Sequence, residues 1–162
     1  MIVMNISEDF LLSIASISIA LIGFSGVVIA LGRRGQGEWT PSEMLQLRTL
    51  VEPSIVSLLC SFVPILLGLL ALGAEALWVI SNLLLMALHL IGFSAFIIRG
   101  SKSGVTFTHK IMLTIFVLIS IFQIAAIFSY VEYLELAFAL SLVYGLCAGV
   151  HNFYLLLFYQ SE

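Results

Sequence analysis

Charge is what this chain has least of. Six Lys and Arg and nine Asp and Glu make up 9% of the 162 residues, with a formal net charge of −3. So few cations exclude nucleic acid as a partner, because phosphate binding needs clustered Lys and Arg. Cysteine is scarcer still. Cys60 and Cys147 each fall inside an apolar run, where a thiol packs as a small side chain, and neither reads as half of a disulfide or as a metal ligand. Catalytic signatures are also missing: there is no Gly-x-Ser-x-Gly, no phosphate-binding loop ending in Lys and no His-Glu-x-x-His. The expectation is a protein that is not an enzyme and carries no cofactor or metal. Before the first apolar run stand Glu8 and Asp9 and no basic residue, the wrong charge for a secretory leader, so that run is expected to remain in the mature protein.

What the chain has instead is apolar surface. With 62% hydrophobic residues and a mean hydropathy of +1.20, it holds more than a soluble domain of this size could bury, which makes the bilayer its solvent and partner. A helix needs roughly 20 apolar residues to cross about 30 Å of hydrocarbon, and the polar breaks divide the chain accordingly. Spans are expected over about 10–32, 54–73, 76–98, 111–129 and 134–159, with a helical extension at the membrane surface over 41–52. The fold class is therefore all-α: a single domain, 1–162, forming a five-span transmembrane bundle in a cell membrane, with a bacterial inner membrane as the specific expectation.

The polar turn Gly32-Arg33-Arg34-Gly35-Gln36-Gly37 sets the orientation. Five alternating spans put Arg33, Arg34, Arg48, Arg99, Lys102 and Lys110 on one side and Glu8, Asp9, Glu75, Glu132 and Glu135 on the other. By the positive-inside rule, the N-terminus is outside and the C-terminus inside. After this turn, Thr40-Pro41-Ser42-Glu43 has the form of a capping box, and Pro53 predicts a kink.

Helical spacing groups the small and polar residues. In span 1, Ser13, Ser16, Ala20, Gly23 and Ala30 fall in one arc. In span 2, Ser54, Ser57, Ser61, Pro64 and Gly68 do the same. Small residues let helices approach closely, so these two faces are expected to meet. Asn82, Met86, His89 and Phe93 share a face of span 3, Phe116, Ser120, Gln123 and Ile127 one of span 4, and Ser141, Tyr144, Gly145, Ala148, His151 and Asn152 one side of span 5.

Three functional expectations follow. The first is a homo-oligomer, in its sharper form an ion channel or pore, with Ser13, Ser16 and Gly23 along the axis, Arg33 and Arg34 at one mouth, and Arg48 paired with Glu52 four residues on as a gate or subunit contact. The second is an accessory or scaffold subunit docked on another membrane-protein subunit. The third starts from intramembrane polar groups, which are costly in lipid and therefore default to a functional reading. His89 and His151 stand at similar depth, with Asn82, Gln123 and Asn152 as further candidates, and fit a proton-handling or a haem- or pigment-binding protein. Against this, the same groups read as hydrogen bonds holding the helices together.

Overall fold

The computed structural model describes residues 6–32, 40–103 and 107–158. Among them are five long helices, α1 Glu8–Gly32, α2 Pro41–Gly68, α3 Ala74–Ser103, α4 Phe107–Ser129 and α5 Leu134–Phe158, with a short 3-10 turn at Val131–Tyr133 before the last. All five are long and apolar enough to cross a membrane. Large apolar side chains face outward on every one, from Phe24 and Leu66 to Ile91, Phe128 and Leu157, as a bundle solvated by lipid tails requires.

Local chemistry explains the ends of α2. The Thr40 amide donates to Glu43 Oε2 (2.8 Å) and the Glu43 amide to Thr40 Oγ1 (3.2 Å), so the capping box is formed with Pro41 at the first helical position. The helix then runs unbroken through Pro53 and Pro64, joining the 41–52 stretch and the second span in one element. It stops at Gly68 rather than near Gly73. The tight turn that follows places Ala71 at φ 50°, in the left-handed region.

Contacts between helices define an up-and-down arrangement. The Ile6 amide donates to Glu135 Oε2 (3.0 Å) and Phe24 packs on Phe153, so α1 and α5 run parallel. Gln123 meets Asn82 while His109 stacks on Phe96, so α3 and α4 run antiparallel. α5 is the hub and packs on all four others. The core gathers Leu11, Ile14 and Leu21 of α1, Leu50 and Cys60 of α2, Leu85 of α3 and Phe138, Leu142 and Leu146 of α5.

Two expectations about packing are corrected. α1 and α2 are neighbours, but their small faces do not meet. Leu11, Ile14, Ala15, Ser18, Leu21 and Ser25 of α1 turn inward, while Ser13, Ser16, Ala20, Gly23 and Ala30 are exposed. The reason is visible at the hydroxyls: Ser13 donates to the carbonyl of Asp9 (2.7 Å) and Ser16 to that of Leu12 (2.8 Å), so both are satisfied within their own helix and can face outward.

The buried α2 face of Ser54, Ser57 and Ser61 meets α5 instead, at Gly145 and Gly149. A Cβ on Gly145 would stand 2.5 Å from Ser57 Oγ, and one on Gly149 would stand 3.0 Å from Ser54 Oγ. These glycines are spaced as Gly-x-x-x-Gly, the pattern that brings two backbones together in lipid.

Candidate intramembrane site

Side chains from α2, α3, α4 and α5 enclose a cavity of about 130 Å³. α3 contributes His89 and Phe93, because positions four apart share one face; α5 adds Tyr144 and Ala148 by the same rule. α4 adds His109, Met112 and Phe116, and α2 adds Thr49 and Glu52. The wall is mostly apolar and rich in rings. Phe93 stacks on Phe116 at 5.0 Å between centroids, and His89 lies edge-on to both Phe116 (6.1 Å) and Tyr144 (6.4 Å).

The polar groups in this wall differ in how far they are committed. Tyr144 donates its hydroxyl to the carbonyl of Met112 (3.1 Å), and Asn152 donates Nδ2 to that of Ala148 (2.8 Å). His89 Nε2 is buried and has no hydrogen-bond partner within the protein. Asn152 Oδ1 is likewise buried without a partner; an unpaired buried polar atom costs about 1–3 kcal/mol, so these two atoms are the conspicuous groups of the lining.

The cavity is open to the surface, and partly exposed residues lie along its lining, from Glu52 to Gly92, Met112 and Tyr144. Glu52 lines it and accepts a 2.6 Å hydrogen bond from Arg99 Nη1, with both side chains more than a third exposed, at 40% and 36%. This corrects the expected pairing within α2: Glu52 binds α3 through Arg99, and Arg48 is exposed. The three-dimensional neighbour, at a short charge-assisted distance, wins over the one four residues away.

Beyond the cavity's far end lies a closed polar cluster. Gln123 Nε2 donates to Asn82 Oδ1 (3.0 Å) and to the Asn82 carbonyl (3.1 Å). Ser141 donates to Gln123 Oε1 (3.2 Å), and Asn82 Nδ2 donates to the carbonyls of Trp78 (2.8 Å) and Leu134 (2.9 Å). Every amide atom of Asn82 and Gln123 is thereby used, and α3, α4 and α5 are tied together.

The two expected histidines are not partners. His89 packs against Tyr144 and Phe116, while the ring of His151 lies 6.3 Å from that of His109. His109 was missed because it stands beside Lys110 in the lead-in to span 4. Its register could have found it, since 109, 112, 116 and 123 follow one helical face. Asn152 sits beside His109. Among the described residues, no three His, Cys, Asp or Glu side chains gather as a metal site. Ser13, Ser16 and Gly23 are on the outside of the bundle, away from the cavity, and Arg33 and Arg34 lie outside the described residues.

No protein-family model, curated protein or solved structure matches the chain.

Proposed function

We propose that this is a non-enzymatic integral membrane protein that binds a small solute within the bilayer, with the α2–α5 cavity as its working site. The observation that carries the reading is His89 Nε2, buried without a protein partner in the wall of a cavity that reaches the surface at Glu52. Ligand sites are typically apolar hollows with a few placed polar groups, and this one has that character. Arg48, Arg99 and Lys110 belong to the helix ends on the Glu52 side. With positive charge inside, the mouth faces the cytoplasm and the Asn82–Gln123–Ser141 cluster closes the outward end. Proton handling by His89 is a special case of this reading. A haem or other large pigment is disfavoured, because 130 Å³ is the scale of one small ring.

Accessibility tests the reading. In a chain with Cys60 and Cys147 replaced by Ser, Ala148→Cys places a thiol in the wall. A small, water-soluble, membrane-impermeant methanethiosulfonate should modify it in proteoliposomes from the Glu52 side alone. Failure to react from either side would overturn the site.

A second reading is favoured by the outward face of α1. Cβ atoms on Gly23 and Gly26 would meet nothing within 4 Å, so this face is open to another helix, of a second copy in a homo-oligomer or of another membrane-protein subunit that the chain scaffolds. Conduction along α1 is the weaker form. Past Ser16 its exposed positions are Ile17, Ile19, Ala20, Gly23, Phe24, Gly26, Val27 and Ala30, leaving about 20 Å of path without a polar side chain.

A further inference from the structure

We infer that the cavity takes a single phenolic ring, the head of a lipophilic phenol or quinol. This rests on the reading of the cavity as the working site and adds the chemical class of its ligand. Size comes first. A dry protein cavity of about 150 Å³ accepts benzene, and this one measures about 130 Å³, enough for one six-membered ring and too little for a fused or macrocyclic one. The same volume would hold about four waters, but the wall they would meet is mostly carbon.

The lining specifies the ring's character. Phe93, Phe96, Phe116 and Tyr144 present aromatic surface from three helices, and rings are favoured partners for rings in offset or edge-on geometry. Asn152 Oδ1 and His89 Nε2 of the lining are both buried without a hydrogen-bond partner within the protein, and the Tyr144 hydroxyl, which donates to Met112, can still accept; the group set among the rings is the His89 nitrogen. A phenolic hydroxyl both donates and accepts, so it satisfies this nitrogen in either tautomer. A carboxylate or an ammonium would bring a full charge into hydrocarbon, and the charges at the mouth, Glu52 and Arg99, are already paired with each other. Attachment of the ring to a lipid tail agrees with a site whose surroundings are acyl chains.

The test uses the purified full chain in detergent and 4-fluorophenol as the probe, followed by fluorine NMR. Detergent dissolves phenols, so the signal that counts is the saturable part, one ring per chain, displaced by unlabelled phenol. Fluorobenzene should bind about tenfold more weakly, the equilibrium worth of one buried hydrogen bond. His89→Leu should lower 4-fluorophenol affinity by the same factor, and His89→Gln, which keeps a polar group there, should recover most of it. Gly92→Leu should abolish saturable binding by filling the hollow: Gly92 lines the cavity and a Cβ there meets nothing within 4 Å, so the fold should tolerate it. Absence of any saturable, displaceable component in the wild-type chain overturns the proposal, and that result needs no variant to fold. Equal binding of fluorobenzene and 4-fluorophenol overturns it as well. If 4-fluorophenol does not bind while Ala148→Cys is still modified, the phenolic ligand falls and the working site stands; if both fail, both fall.

Discussion

Gly145→Ala is the sharpest perturbation of this fold. The added Cβ would lie 2.5 Å from Ser57 Oγ, with the Pro53 carbonyl at 3.6 Å and His89 Nε2 at 3.7 Å. Carbon and oxygen cannot approach so closely, so something must move. The cheapest movement is rotation of Ser57, which forfeits its 3.4 Å hydrogen bond to the Leu142 carbonyl and disturbs a fully buried hydroxyl; otherwise α2 and α5 separate. Overpacking costs about 1–3 kcal/mol, and the better helix propensity of Ala returns about 1. With the lost Ser57 hydrogen bond adding about 1 kcal/mol, the net expectation is a destabilisation of about 1–3 kcal/mol. Gly23→Ala gains the same propensity at a position with open space around it and should be neutral or slightly stabilising. Unfolding titrations with SDS in mixed micelles read the difference. Adding Ser57→Ala removes the clashing oxygen and should recover most of the loss, giving a coupling of about 1 kcal/mol or more in the double-mutant cycle. If Gly145→Ala unfolds with Gly23→Ala, and Ser57→Ala is additive with it, the α2–α5 approach described here is wrong.

Two further outcomes are expected. Gln123→Leu should destabilise by about 1–3 kcal/mol, because Asn82 Oδ1 and the Ser141 hydroxyl lose a buried partner; adding Asn82→Leu should cost less than the sum of the two single changes, and equal unfolding of Gln123→Leu and wild type would contradict the cluster. Gly23→Leu should leave the stability of a single chain unchanged, since the position faces outward; a fall in crosslinked dimer or in a co-purifying subunit would support association through α1, and unchanged assembly would count against it.

How much of this was legible in the sequence depends on what periodicity reports. It reports which residues share a face, and here the serine face of α2 and the polar faces of α3, α4 and α5 followed from it, while the capping box at Thr40 followed from its local motif. It does not report which face meets which. In lipid the outside of a bundle is as apolar as its inside, so hydropathy could not tell that α1 turns Leu11, Ile14 and Leu21 inward and its small arc outward. The small-residue rule applies at Gly145 and Gly149 instead, which stand four apart and make the close approach to α2. Glu52 took Arg99 over Arg48 because tertiary proximity lies outside any helical wheel. The cavity was invisible for the same reason, being a shape left among four helices.

The Asn82–Gln123–Ser141 cluster also bears on how the protein enters the membrane. Helices are delivered from the N-terminal end, as synthesis proceeds. Ser13, Ser16 and Ser54 donate to their own helix, so much of the first hairpin's polar surface is satisfied on arrival, with Ser57 waiting for the Leu142 carbonyl of α5. α3 is different: it arrives with the Asn82 amide, whose Oδ1 is satisfied only by α4 and whose Nδ2 is shared with Leu134 at the start of α5. Gln123 in turn waits for Ser141. The last three helices therefore form an interdependent unit, and a chain halted after α4 carries an amide oxygen with no partner from α5. Such a nascent chain is one that a membrane quality-control protease or chaperone could tell from a finished one by its orphaned amide.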